Sequence, residues 1–156
     1  ELSYIKKVIG SDLVSNLVFF ERDSDYSTTS ILNHNSKGHG PIIMKHVEKG
    51  WGWEKWIVNK KEYCGKLLFF EKGKKCSWHF HKIKDEVFYL QSGKMIVRFS
   101  YDDNIENATE TILEAGQNFY IPIGLRHQML ALEDSELFEF STEHFDSDSN
   151  RIMKGD

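Results

Sequence analysis

Cysteine is scarce in this sequence: Cys64 and Cys76 are the only two in 156 residues. Neither lies in a CxxC pair or in another spacing typical of zinc or thiol redox sites, which argues against both kinds of site. We expect both to be free thiols, with a disulfide between them as the alternative. Free thiols are usual in the cytoplasm, and we predict a cytoplasmic protein.

Long apolar runs and an excess of positive charge are also missing. No stretch approaches the roughly 20 consecutive apolar residues that a membrane-spanning helix needs. The net charge is -4, and the lysines of KKEYCGK and KGKK are interleaved with acidic residues or lie at predicted turns. We therefore predict no membrane insertion and no nucleic-acid binding.

Short β-prone segments follow one another from about residue 41 to the end of the sequence. Turns of Gly, Asn, Asp or Lys separate them, a pattern that predicts an all-β barrel or jelly roll. The length of 156 residues suits one such domain. The segments are PIIMKHV, WEKWIVN, CGKLLFFE, SWHFH, EVFYLQ, KMIVRFSY, ETILEA, NFYIPI, HQMLAL and ELFEFST.

The first 40 residues have a different character. Residues 2–20 combine a short amphipathic pattern with a β-prone end, and the segments that follow are rich in turn-forming residues. We predict an N-terminal extension over residues 1–40 that includes a helical turn, and a barrel domain over residues 41–156.

A histidine pair in SWHFH is the strongest indication of chemistry. Because side chains alternate along a strand, His79 and His81 project to the same face, while Trp78 and Phe80 project to the other. After a polar turn, the strand EVFYL brings Glu86 back to the same space. Neutral imidazoles and a carboxylate suit Zn, Mn, Fe, Ni or Co better than Ca or Mg, so we predict one divalent transition-metal ion.

A second segment, GQNFYIPIGLRH, adds a fourth candidate ligand. Residues 121–124 form a predicted turn that aims the next strand, and His127, Met129 and Ala131 share one face of that strand. His127 is thereby directed to the interior, and the predicted ligand set is His79, His81, Glu86 and His127.

The spacing of both segments resembles the two signature motifs of the cupins. The first motif runs from Gly73 through the two histidines and the glutamate to Gly93, with intervals of five, one, four and six residues. The second has Gly116, Pro122, Gly124 and His127 at intervals of five, one and two. Ala131 stands where the family often has Asn. The resemblance implies a cupin double-stranded β-helix, a jelly-roll barrel.

Within the cupins, residues 47–152 most resemble the mannose-6-phosphate isomerase domain of the type II, bifunctional mannose enzymes. The likeness rests on three segments: Gly50-Trp51-Gly52-Trp53-Glu54, Tyr120-Ile121-Pro122 with the second motif, and Phe138-Glu139-Phe140. It implies interconversion of an aldose phosphate and a ketose phosphate, with the metal polarising the sugar oxygens. It also implies a small-molecule partner, a sugar phosphate, and a homodimer.

Individual residues can be given expected roles in such a reaction. Glu139 and Tyr120 are the candidates for proton transfer, with Glu139 preferred because it matches the family's glutamate. A phosphate needs a fixed cation, for which Arg126, Lys66 and Arg98 are available, and Trp53 is a candidate for stacking on a sugar ring. We expect the histidines outside the motifs, His144 among them, to be ordinary surface residues.

Three alternatives to an isomerase remain open. The same ligands can bind O2 in a metal-dependent dioxygenase, or the protein can be a non-catalytic module that binds a sugar or an acid. Some cupins use such residues as acids and bases without a metal. Because a fold does not determine a function, the site has to decide among them.

Overall fold

The structure is a computed structural model that describes residues 43–156. The predicted N-terminal extension, residues 1–40, lies outside the described residues. Within them, eleven strands and two short 3-10 helices follow one another. These are β1 (Lys45–Lys49), β2 (Gly52–Asn59), β3 (Cys64–Phe70), β4 (Trp78–Phe80), β5 (Glu86–Ser92), β6 (Lys94–Ser100), η1 (Ile105–Asn107), β7 (Thr109–Glu114), β8 (Asn118–Ile121), β9 (Arg126–Ala131), β10 (Ser135–Ser141), η2 (Asp146–Asp148) and β11 (Asn150–Met153).

The strands form two antiparallel sheets. The six-stranded sheet has the order β1-β2-β3-β10-β5-β8, and the five-stranded sheet has the order β11-β4-β9-β6-β7. Both sheets contribute to one apolar core: Phe70, Leu90 and Leu137 come from the first, and Met95 and Met129 from the second. The predicted all-β jelly roll is confirmed.

The inner face of the six-stranded sheet changes from apolar to charged along its strands. In β10, Leu137 and Glu139 both point inward, and the neighbour of each on β3 is of its own kind, apolar for Leu137 and charged for Glu139. Leu137 lies opposite Leu68 on β3 and Leu90 on β5, whereas Glu139 lies opposite Lys66 on β3. One end of the barrel is therefore a closed apolar core, and the other end is lined with buried charges.

Two other sequence expectations concern the cysteines and membrane insertion. Cys64 and Cys76 are both buried free thiols, as expected. In residues 43–156 we find no helix with the length and apolar character that crossing a bilayer requires.

The turn between β5 and β6 depends on a glycine for two reasons. Gly93 has a φ of 87°, and a Cβ atom there would overlap Ser135 Oγ and the carbonyl oxygen of Asp134. Gly116 has nearly the same φ, 89°, but a Cβ atom there would meet open space. The two positions therefore separate the cost of the backbone conformation from the cost of a close contact.

We predict that Gly93→Ala destabilises the protein more than Gly116→Ala does. The left-handed conformation costs both variants about 1–2 kcal/mol, and only Gly93→Ala must also displace Ser135. Urea unfolding of the two variants gives the difference in free energy of unfolding. Equal losses in both would show that the turn tolerates a side chain at residue 93.

Candidate metal centre

Three histidines meet inside the barrel. His79 lies on β4 directly opposite His127 on β9, and His81 follows β4 by one residue. One ring nitrogen from each of the three lies within 4.8 Å of the other two. Strand alternation produces this arrangement, because His79 and His81 are two positions apart and Phe80 between them turns away.

The orientation of the imidazoles is fixed by the backbone. Each Nδ1 lies at hydrogen-bond distance from a carbonyl oxygen: His79 to Ser77 at 2.8 Å, His81 to Asp148 at 3.0 Å and His127 to Leu125 at 3.0 Å. A carbonyl oxygen can only accept, so each Nδ1 carries the proton and each Nε2 keeps a free lone pair. Nε2 of His81 and of His127 is buried without a hydrogen-bond partner.

These histidines are held in the neutral form that metal binding requires. Burial lowers the pKa of His81 and of His127 to about 3. The pKa of His79 is lowered too, by burial and then by the neighbouring His127. The three rings therefore present neutral nitrogen donors at ordinary pH.

Glu86 completes the group from β5. Its Oε2 lies 3.3 Å from Nε2 of His81 and 3.4 Å from Nε2 of His127, and this oxygen is also buried without a partner. Burial, and then the charge of Glu139, raise the pKa of Glu86 to about 8. Unpaired lone pairs this close repel one another unless a proton or a cation lies between them, and a divalent cation reverses the effect of burial on the carboxylate. The donor set fits a transition-metal ion such as Zn or Mn.

A second charged cluster lies beside the histidines. Nζ of Lys84 contacts Oε1 of Glu86 and lies 2.9 Å from Oε1 of Glu139, and Nζ of Lys66 lies 3.4 Å from the same oxygen of Glu139. All four side chains are at most 5% exposed. Both ammonium groups therefore share Glu139 in the interior of the barrel.

The cluster shifts the pKa values of its own members. Burial alone would raise the pKa of Glu139, but Lys84 and Lys66 outweigh it and hold this pKa far below its usual range. Burial would lower the pKa of Lys84, but the carboxylates of Glu139 and Glu86 outweigh it and raise this pKa. Glu139 and Lys84 are thus an ion pair at neutral pH.

Both groups line one cavity of about 480 Å³. One part of its wall is polar and contains the three histidines, Glu86 and the lysine–glutamate cluster, and the rest is apolar. The apolar lining comes from Leu68, Phe70, Phe88, Met129 and Leu137, among others. A cavity with an apolar wall and a few converging polar groups is typical of sites for small molecules.

Comparison with protein families gives one match, the cupin domain, over residues 66–140. The match contains both halves of the candidate site, from Lys66 on β3 through the three histidines to Glu139 on β10. Comparison with curated proteins gave no match.

Several solved structures have a similar fold. CapF from Staphylococcus aureus, a capsular polysaccharide assembling protein, superposes with a TM-score of 0.63 and 19% identity, over 72% of this chain and 35% of CapF. A variant of Bacillus subtilis oxalate decarboxylase gives 0.62 and 18%, over 72% and 33%. KdgF from Halomonas sp. gives 0.56 and 19%, over 72% and 93%.

These likenesses have two limits. All the identities lie below 20%, so they establish the fold alone. This chain also spans only about a third of the length of CapF and of oxalate decarboxylase. The Bacillus subtilis decarboxylase has Mn(II) centres.

Two of the substrate and catalytic residues predicted from the sequence lie in the cavity. Glu139 and Lys66 both line it and are paired with each other. Both point inward because they alternate with outward residues on β10 and β3. They lie beside the predicted metal ligands although 72 residues separate them in the sequence.

The structure places the aromatic residues Tyr120 and Trp53 outside that cavity. Tyr120 points outward because its neighbour Ile121 takes the inward position on β8. It is 54% exposed and donates a hydrogen bond to Asp85. Trp53 stacks on Phe69 at a centroid distance of 5.4 Å, away from the cavity lining. Neither side chain lies beside the histidines.

The two arginines also lie elsewhere. Arg126 is next to His127 on β9 and so projects to the opposite face, where it pairs with Asp103 at 2.7 Å. Arg98 pairs with Glu110 and donates to the side chain of Gln128. Strand alternation therefore removes both guanidinium groups from the cavity.

Sequence reasoning missed Asp148 as a supporting residue. Its carboxylate accepts hydrogen bonds from the backbone N–H groups of Lys82, Ile83 and Lys84, and its carbonyl oxygen accepts the Nδ1–H of His81. Burial opposes ionisation of Asp148, but the three N–H groups outweigh it and lower its pKa. Asp148 thus fixes the turn that joins His81 to Glu86, and no local pattern near residue 148 indicates this.

His144 was expected at the surface, and the structure corrects this. Its side chain is only 9% exposed, and its Nδ1 lies 3.0 Å from Nζ of Lys66. It also packs edge-on against Trp56. The ring lies in the cavity wall because the chain after β10 folds back over the charged end of the barrel.

We predict that His81 and His127 each lower the stability of the metal-free protein as the pH falls, while the raised pKa of Glu86 acts in the opposite direction. The folded state keeps His81 and His127 neutral down to about pH 3, while in the unfolded state they take up protons below about pH 6.5. Each should therefore cost about 1.4 kcal/mol of folding free energy between about pH 7.5 and about pH 5.5. Urea unfolding after removal of metal by EDTA measures this loss.

A variant pair identifies the source of the effect. Between these two pH values His127→Gln should lose about 1.4 kcal/mol less stability than the wild type does. His46→Gln, at an exposed position, should change as the wild type does. The same slope in His127→Gln as in the wild type would contradict the assignment.

Proposed function

We propose that this cupin is a metal-dependent sugar or sugar-phosphate isomerase that binds one divalent transition-metal ion through His79, His81, Glu86 and His127. The observation that carries the proposal is the set of unpartnered, buried donor atoms on His81, His127 and Glu86, which face a cavity with an ion pair suited to proton transfer. Among the candidate ions Zn, Mn, Fe, Ni and Co, the Mn(II) centres of a protein of similar fold favour Mn.

The reaction is a rearrangement within one molecule. A proton moves from C2 of an open-chain aldose to C1, and a second proton moves between the two oxygens, so no oxidant or reductant is consumed. The metal ion, when bound, supplies a Lewis acid that polarises those oxygens. The protein must supply one group that accepts the proton from C2 and another that donates a proton to a sugar oxygen.

Glu139 and Lys84 are our candidates for these two tasks. Because Glu86 is a proposed metal ligand, Glu139 is the buried carboxylate of the cluster that can accept a proton. Lys84 is an ammonium donor 2.9 Å from Glu139 and in contact with Glu86, so it can donate to a sugar oxygen near the metal ligands. Their exclusion from solvent strengthens both interactions.

The ion pairs of Glu139 also have a consequence for its strength as a base. Two ammonium groups hold its pKa far below the usual range, which makes it a weak proton acceptor in the free protein. A substrate anion that takes Lys66 or Lys84 as a partner weakens this effect and raises the pKa of Glu139. Substrate binding would thereby activate the base.

We predict that Glu139→Gln lowers isomerase turnover by about 100-fold or more, the usual contribution of a general acid–base group. The assay measures aldose–ketose conversion of mannose 6-phosphate and related sugar phosphates by the metal-loaded protein, with dissolved oxygen recorded in parallel. Glu136→Gln, on the same strand but facing outward, is the matched control and should keep full turnover.

The outcomes separate the classes of function. Conversion of a sugar phosphate without oxygen consumption supports the isomerase. Oxygen consumption would instead indicate a dioxygenase, and ligand stabilisation without turnover would indicate a binding module; either result overturns the proposal.

A further inference from the structure

When Glu86 is ionised, as metal binding requires, the buried charges that line the cavity balance one another. Lys66 and Lys84 contribute two ammonium groups, and Glu86 and Glu139 contribute two carboxyl groups, all at most 5% exposed. The three histidines add no charge when they bind a metal, because each Nδ1 donates to a backbone carbonyl oxygen and each Nε2 is left with its lone pair. With Glu86 ionised the group has no excess of either sign, and with Glu86 protonated it has one excess positive charge. In neither state does the group hold a surplus of negative charge.

The charged residues nearer the outside of the cavity do not change this balance. Three further cationic side chains line it, Lys49, Arg151 and Lys154, and so do three carboxylates, Glu54, Asp146 and Asp156. One of these pairs is direct, since Nζ of Lys49 lies 3.3 Å from Oε1 of Glu54. The outer residues thus offer no surplus of negative charge to a cation bound at the histidines.

A divalent cation at the histidines therefore leaves the cavity with two excess positive charges. Uncompensated charge in a buried site is costly, because water cannot solvate it there. The excess of positive charge affects Lys84 most. Its ammonium group contacts the candidate ligand Glu86, so a cation that binds Glu86 competes with Lys84 for that carboxylate. Lys84 then has Glu139 as its remaining carboxylate partner, and Lys66 shares it.

We propose that the metal-loaded cavity selects ligands that carry an anionic oxygen group, a carboxylate or a phosphate, and that Lys84 and Lys66 hold this group. The proposal rests on the metal site of the proposed function and deepens it by naming the substrate class. The anion restores the charge balance and replaces the carboxylate that Lys84 gives up to the metal. Uncharged sugars lack this gain and bind weakly.

Binding of three small probes to the manganese-loaded and the metal-free protein tests this by isothermal titration calorimetry. Methyl phosphate and acetate represent the two sources of an anionic group, and glucose is the uncharged control. We expect one or both anions to bind the metal-loaded protein at least about tenfold more tightly than the metal-free protein, an effect of about 1.4 kcal/mol. The anion that binds more tightly identifies the group.

Two substitutions should act in opposite directions on the metal-loaded protein. Lys84→Met removes a positive charge and a donor and should weaken anion binding at least about tenfold, whereas Glu139→Gln adds a net positive charge and should strengthen it. Lys82→Met, on the same turn but exposed, is the matched control and should bind as the wild type does. If Lys84→Met does not fold, Glu139→Gln decides.

Equal anion binding with and without metal, glucose binding as tight as anion binding, or Glu139→Gln without a gain in affinity would overturn the proposal. These outcomes are distinct from failure of the isomerase function. Anion binding that follows the predicted pattern, with no conversion of any sugar phosphate, would support the anion site and contradict the isomerase.

Discussion

The hydrogen bond from each imidazole Nδ1 to a backbone carbonyl is the interaction on which the rest of the site depends. It fixes the tautomer, and the tautomer turns the Nε2 lone pairs of His81 and His127 towards Glu86. Backbone acceptors do this without adding charge, so the rings stay neutral in a buried position. The hydrogen bonds to the main chain thus leave Nε2 lone pairs that a cation can bind.

The charged end and the apolar end of the barrel are formed by the same strands. Along β10, one inward residue, Leu137, joins the core and the next, Glu139, joins the buried ion pairs. Breaking a buried ion pair by removing one partner is costly, which keeps Lys66, Lys84 and Glu139 in one arrangement. The stable apolar layer beneath them gives this polar layer a rigid support.

Much of the fold and of the metal site could be predicted from the sequence, because both follow from local patterns. Short β-prone segments separated by turns indicated the all-β barrel, and the alternation of side chains along a strand places His79 and His81 on one face. The cupin spacing then connects them to Glu86 and His127. Arg126 shows what the same rule excludes, since it is the immediate neighbour of His127 and must face away.

The remaining parts of the site depend on contacts that no local pattern records. Lys84 lies in a polar turn whose residues Lys82 and Ile83 are exposed, and only the folded chain shows that its side chain enters the barrel. Asp148 holds this turn from more than 60 residues away. His144 likewise reaches the cavity through the path of the chain after β10. Such placements follow from tertiary packing and not from residue spacing.

Elemental analysis after removal of metal and dialysis against manganese or zinc tests the central claim most directly. We expect one ion per wild-type chain, none in His127→Ala or His79→Ala, and one in His46→Ala, whose imidazole lies away from the cavity and contacts Glu48. An unchanged metal content in His127→Ala and His79→Ala would contradict the account.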